Sequence, residues 1–427
     1  MRIDLNYGRG TLPVELDDAL DVTVIGKPPM PVLPDPTDAV AAALATPVDA
    51  PPLAEAARGA RSACILICDI TRPVPNGVLL PVLVRTLLDA GLAADAITVL
   101  VATGLHRPNE GDELKELVGD PWVMETVNVV NHFARDDAMH VDLGTTPTRG
   151  TPVKLDRRLV EADLRIATGL VEPHFMAGYS GGRKVIAPGV AHRETITTFH
   201  SHRFMADPLA DNCVLDGNPL HEEQLEIVRM VGGATAVNTV IDDERRIAFV
   251  NYGEIVSSHL EAVSFIERFA RVAVPRRFQT VVTSAAGYPL DKTYYQTVKG
   301  MVGPLGILAP GGTLVIASAC DEGIGSPEFA DAQRRLVADG PARFLEEISA
   351  KRFADIDEWQ TQMQTKPMAV GAVKLYSDGL ADADRALTGV DNVASVAEAV
   401  NASVAASGDP AVAVVPEGPY VVPVHAG

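Results

Sequence analysis

Apolar runs of strand length alternate with helical patterns along this chain, and that alternation limits the possible folds more than any other feature. The run Cys64–Cys68 ends in Asp69. Apolar residues at i, i+3, i+4 and i+7 then predict a helix over Asn76–Ala90. A strand follows at Ile97–Ala102, then the turn Thr103–Pro108, a helix over Asp112–Val118 and a strand at Leu164–Ala167. This βαβ rhythm implies mostly parallel sheets covered by helices. In such sheets ligands collect at the carboxyl ends of the strands. Asp69, Thr103–His106 and His174 each fall just after a predicted strand, so they are expected to converge on one sheet edge.

A second alternation starts after Pro275-Arg276-Arg277, which punctuates the end of the helix predicted over His259–Ala273. It runs through strand Gln279–Ser284, helix Tyr294–Leu308, strand Thr313–Ser318, a helix past Pro327, strand Met368–Leu375, helix Val396–Ala406 and strand Ala411–Val415. A chain of 427 residues is too long for one core. The expected fold class is therefore α/β, with two α/β domains and mainly parallel sheets. The N-terminal domain is placed at 1–273 and the C-terminal one at 274–407, with the tail 408–427 able to return to the first. Lys27–Pro36 reads as an extended connector.

The net charge of −20 argues against nucleic acid or an anionic membrane as partner, but leaves room for a local cationic pocket. No apolar run spans a bilayer and no signal peptide is visible, so a cytoplasmic location is expected. Cys64, Cys68, Cys213 and Cys320 lack zinc-ribbon spacing and read as core residues.

Chemistry concentrates in Glu172–His200, which carries His174, His192, His200 and the turn Ser180-Gly181-Gly182-Arg183-Lys184. Imidazole shuttles protons near neutral pH and ligates borderline metals. The turn fails the phosphate-loop pattern, because Arg183 precedes Lys184 and Val185 stands where a magnesium-binding hydroxyl belongs. Its backbone N–H groups can still face an anion. No His-Glu-x-x-His is present, so at most one histidine would serve a metal held mainly by other donors. Arg72, after a strand, can grip a carboxylate or phosphate, with Asp69 orienting it or touching a ribose hydroxyl. Gln296 and Lys299 share a helix face, and Trp359 reads as a cleft lid or a rim anchor. Arg85 reads as part of a solvated helix face, or as a further cation near the pocket.

Taken in order, DITRP (Asp69–Pro73), TGLHR (Thr103–Arg107), EPHFMAGYSGGRKVIAPGVA (Glu172–Ala191), His200 and YYQTVKG (Tyr294–Gly300) resemble the nickel-pincer nucleotide-dependent lactate racemase family. The resemblance implies two α/β domains with the active site in the cleft between them. It implies racemisation or epimerisation of a 2-hydroxy acid, lactate by default, by hydride transfer through a 2-keto acid. The implied cofactors are nickel and pyridinium-3-thioamide-5-thiocarboxylic acid mononucleotide, covalently attached to Lys184 with His200 as the metal ligand. His106 and His174 would be the acid–base pair. Arg72 and Lys299 would hold the carboxylate and keto oxygen, assisted by Gln296, with Tyr294 and Trp359 as further substrate contacts. Asp69, Thr71, Gly181, Gly182 and Arg183 would contact the cofactor, and cofactor-synthesis proteins would load it. Two alternatives stand beside this: a nucleotide- or nickel-cofactor-binding accessory protein without turnover, and a nicotinamide-type 2-hydroxyacid dehydrogenase. The second would place a glycine-rich fingerprint at the first strand–helix turn, where Asp69–Pro75 has no glycine.

Overall fold

The computed structural model describes residues 1–425, and two six-stranded sheets organise it. The first sheet runs Ile247–Glu254, Thr235–Ile241, Leu164–Leu170, Ala63–Cys68, Ile97–Ala102, Asn128–Asn131. Its strands are parallel except for the antiparallel edge Ile247–Glu254. The second runs Asp391–Asn392, Ala372–Tyr376, Leu308–Ala317, Phe278–Ser284, Ala411–Val415, Asp21–Val24, and is parallel throughout.

Burial on both faces explains the composition of the central strands. Ala63–Ile67 is buried at every residue, as is Ala411–Val415, because helices cover both sides. The helix Asn76–Asp89 buries Leu79, Leu80, Leu83, Val84 and Leu87 against the first sheet. Among the described residues no helix is long and apolar enough to cross a membrane.

From Ala63–Cys68 the chain builds outward to Ile97–Ala102 and Asn128–Asn131, then returns to the other side through Leu164–Leu170. The reversal leaves a crevice between the carboxyl ends of Ala63–Cys68 and Leu164–Leu170, the topological switch point where open α/β sheets bind ligands.

Four expectations need correction. Residues 1–25 do not stay with the first sheet: Asp21–Val24 pairs with Ala411–Val415 in the second, behind the hairpin Arg2–Tyr7/Gly10–Glu15. The strand Ala411–Val415 lies inside the second sheet, and only the tail Val422–His425 leaves it, pairing with Arg271–Val274 at the junction. Met368–Val370 ends the helix Glu358–Val370, and the strand begins after Gly371 at Ala372. The helix begun at Tyr294 stops at Val302 and tightens into a 3₁₀ segment, Gly303–Ile307, where Pro304 cannot donate a helical hydrogen bond.

Candidate active site

The switch point opens into a cavity of about 160 Å³ between the two sheets. Its first-domain wall includes Asp69, Thr71, Arg72, His106, His174, Gly181, Lys184 and His200, and its second-domain wall is Tyr295, Lys299, Asp357, Trp359 and Gln360. Residues 69 to 360 of the sequence thus meet around one space.

The loop after Ala63–Cys68 is an Asx turn. Thr71 donates to Asp69 Oδ1 from its backbone N–H at 3.2 Å and from its hydroxyl at 2.6 Å. That leaves Asp69 Oδ2 to accept the His106 Nδ1–H at 2.5 Å. Burial disfavours charge on both groups, but their mutual attraction outweighs it. The imidazole is held above its ordinary range and the carboxyl below its own. With Nδ1 engaged, His106 offers Nε2 for proton exchange.

Arg72 leaves the same loop and donates to Glu172, at the end of the neighbouring strand. The carboxylate that orients Arg72 is therefore Glu172, whereas Asp69 is committed to His106 and Thr71. The Glu172 backbone also binds the following turn: Ser180 N–H donates to Glu172 O at 2.9 Å, and Ser180 Oγ–H to Leu170 O at 2.7 Å. Gly181 follows with φ +73°, and a Cβ there would stand 2.9 Å from Leu170 O, so the turn needs glycine.

His174 starts the short hairpin Pro173–His174/Gly178–Tyr179. The N–H groups of Met176 and Ala177 donate to its Nδ1 at 3.4 and 3.2 Å. Burial, then Lys184, Arg72 and Lys299, hold its imidazolium pKa well below the ordinary value.

Lys184 lies on the helical turn Arg183–Ile186. Burial first, then Arg183, Arg72 and Lys299, push its pKa far down. Burial and the neighbouring cations favour the uncharged, nucleophilic form of the amine. Lys299 falls to about 7 through burial and Arg72, with Asp69 and Glu172 acting the other way. His200 donates Nδ1–H to Ile196 O at 2.9 Å, leaving Nε2 with a free lone pair. Burial, then Lys184, lowers its pKa to about 3. The Trp359 ring covers it, centroids 4.9 Å apart.

Other candidates lie off the cavity. Arg183 is buried behind the turn, donating to the carbonyls of Tyr179 and Ala177, and Gly182 packs against His259. Tyr294 is a core residue that donates to Thr388 O at 2.7 Å, and its neighbour Tyr295 reaches the cavity instead. Gln296 lines an adjoining cavity of about 400 Å³ that shares Asp69, Thr71, His106, Tyr295 and Asp357 with the first. Arg85 stacks on Trp122, away from the site. His192 donates to Asp137 Oδ1 at 2.7 Å. Cys68, read as core, also borders the cavity, its thiol pushed up to about 12 by burial.

Fold and site together define an enzyme: two α/β domains close on a cavity that gathers cations, two histidines of opposite environment and a lysine whose uncharged form is favoured. Residues 7–212 match the family model described as the lactate racemase N-terminal domain, and 275–423 the lactate racemase C-terminal domain. A lactate racemase from Thermoanaerobacterium thermosaccharolyticum is 35% identical over 292 residues, 68% of each chain. One from Lactiplantibacillus plantarum is 33% identical over 350 residues, 81% of each chain. The solved lactate racemase apoprotein from T. thermosaccharolyticum superposes with a TM-score of 0.89 at 29% identity, covering 99% of this chain and 100% of that one. A Thermotoga maritima protein, 16% identical with a TM-score of 0.69 over 91% of this chain and 97% of its own, shares the fold. The chain belongs to the lactate racemase family.

Proposed function

We propose that this protein interconverts the enantiomers of a 2-hydroxy acid, lactate by the names of its relatives, using a nickel-pincer nucleotide tethered to Lys184. The observation that carries the reading is the single cavity shared by Arg72, Lys299, His106, His174, Lys184 and His200.

The donor set fits that cofactor. The surroundings of Lys184 favour its uncharged amine, the form that an amide-type tether requires. His200 has one ring nitrogen fixed by a carbonyl and the other bare, the arrangement of metal-ligating imidazoles. Among the described residues no cluster of three or more His, Cys, Asp and Glu could hold a metal ion. A lone imidazole suits an ion whose other ligands belong to a bound organic group. When bound, the group supplies a reversible hydride acceptor.

The chain's own residues supply the rest. Arg72, steadied by Glu172, grips the substrate carboxylate through its remaining N–H groups. Lys299, with a pKa of about 7, donates to the carbonyl oxygen. His106 takes the hydroxyl proton at Nε2, while Asp69 stabilises the imidazolium formed. His174 serves the opposite face. Tyr295 and Trp359 line the second-domain wall of the cavity.

The test uses protein from a host that makes the cofactor, loaded by that host's cofactor-synthesis proteins. Single enantiomers of several 2-hydroxy acids should lose optical rotation, and intact mass should show an adduct lost in Lys184→Ala. Absence of both racemisation and adduct sinks the reading.

A further inference from the structure

Lys27 lies where the chain passes from the second sheet to the first. Ile25 N–H donates to Val414 O at 2.7 Å, tying the start of this connector to the second sheet. Leu33 N–H donates to Ile247 O at 2.9 Å, tying its far end to the first. Between the two ties the Lys27 side chain is 6% exposed and pairs with two carboxylates. Asp243 Oδ1, at 2.8 Å, belongs to the loop between Thr235–Ile241 and Ile247–Glu254. Glu417 Oε1, at 3.0 Å, follows Ala411–Val415. One ammonium thus holds a carboxylate from each domain. Among the described residues the other ion pairs across the junction are weaker: Arg135–Glu328 is half-exposed, and Lys292–Glu113 is stretched to 4.0 Å.

We propose that Lys27, Asp243 and Glu417 form an interdomain clamp that holds while the Glu417 carboxyl is protonated and loosens when it ionises. With Glu417 neutral, one ammonium balances one carboxylate. With Glu417 charged, two carboxylates from opposite domains share that ammonium and repel each other across the junction. Burial pushes the Glu417 carboxyl up to about 7; Lys27 opposes the shift and Asp243 adds to it.

The clamp borders a cavity of about 380 Å³ behind the Arg72–Glu172 pair. The other charged and titratable groups around it are Arg9 in the N-terminal hairpin, Glu172 at the switch point, Asp242 and Arg245 beside Asp243, Tyr288, and Tyr420 on the loop of Glu417. Most are already engaged. Asp242 pairs with Arg246, Glu172 with Arg72, Arg245 donates to the Tyr288 carbonyl, and Arg9 stacks on the Tyr288 ring. Opening the junction returns Glu417 to water and to its ordinary value of 4.5. Closure is therefore favoured at low pH, weakens as pH rises from 4.5 to about 7, and changes no further above it. The closed-to-open ratio swings by up to about two orders of magnitude. Arg72 and Lys299 stand on opposite walls of the active cavity, so the clamp bears on the distance between them.

The test is hydrogen exchange by mass spectrometry on the full chain at about pH 5.5 and about pH 8, corrected for intrinsic exchange rates, with small-angle scattering of the same samples. Peptides covering Ile25–Leu33 and Asp242–Arg246 should lose protection at the higher pH, and the radius of gyration should rise. Glu417→Gln, neutral at every pH, should keep the protection and the smaller radius at both. Lys27→Met should raise the radius at the higher pH beyond that of the parent chain. Protection of Ala63–Cys68 should persist throughout, showing that each variant is folded. A parent chain with the same radius at both pH values overturns the inference, and so does a pH dependence that survives in Glu417→Gln. Neither outcome touches the 2-hydroxy acid reading, since no turnover is measured.

Discussion

Glu172 holds Arg72 across the switch point, and its backbone holds the turn that leads to Lys184. The substrate cation and the tether loop therefore depend on one residue. Glu172→Gln leaves a buried guanidinium without its counter-charge. Breaking such a pair costs about 3 kcal/mol or more, so the melting temperature should fall clearly. In loaded enzyme KM should rise at least tenfold, while the Lys184 adduct remains visible by mass; an unchanged KM removes Arg72 as the carboxylate anchor.

The Asp69–His106 pair sets a pH window for stability. Asp69 has its pKa lowered by folding, so its contribution is present above the ordinary value of 3.8 and is lost as pH falls through the folded value. His106 has its pKa raised, so its contribution is full below 6.5 and is lost as pH rises through the folded value. Both shifts describe one interaction. The stability difference between the parent chain and Asp69→Asn, measured by urea unfolding, should be largest between about pH 4 and 6.5 and shrink on either side. A difference that keeps growing towards pH 9 would contradict this assignment.

Lys184 lines the cavity and should react faster than solvated lysines at neutral pH, because burial and the nearby cations favour its free amine. A small acylating reagent at pH 7, followed by peptide mass mapping, should label Lys184 ahead of Lys115, which is exposed with its pKa raised by Asp112. Equal labelling of the two would show that Lys184 is charged or closed off.

Trp359 offers a spectroscopic reporter. It is one of two tryptophans, and its ring lies 4.9 Å from His200. Loading a metal-bearing group at His200 should quench its emission. The change should survive Trp122→Phe and vanish in Trp359→Phe. Quenching that follows Trp122 would place the metal elsewhere.

The strand ends and most of the first-domain wall were legible because period and turn chemistry are local signals. Asp69, His106 and His174 fell after apolar runs, and the runs proved to be adjacent parallel strands. Tyr294 reads as a substrate contact, yet the phase of its helix turns Tyr295 to the cavity instead. Tyr295 and Lys299 are i, i+4 and share the cavity face, whereas Tyr294 shares its face with the buried Val298. The spacing of Tyr295 from Lys299 carries that signal in the sequence itself. Arg183 reads as a cation for a ligand, yet the chain folds it behind the turn onto carbonyls, which no charge count reveals. Glu172 as the partner of Arg72, and Asp21–Val24 as a strand of the second sheet, depend on contacts 100 and some 390 residues apart. Local pattern carries no information about such pairings.

That last pairing has a consequence for synthesis. Asp21–Val24 emerges from the ribosome some 390 residues before its neighbour Ala411–Val415. The first sheet has all its strands once residue 254 has appeared and is free to assemble while translation continues. The second sheet stays unfinished until Ala411–Val415 has emerged, with its opening strand held in reserve. A ribosome stalled after residue 254 has emerged but before Ala411 does should therefore display a folded first sheet preceded by a strand, Asp21–Val24, that lacks its partner and stays open to proteases until Ala411–Val415 arrives.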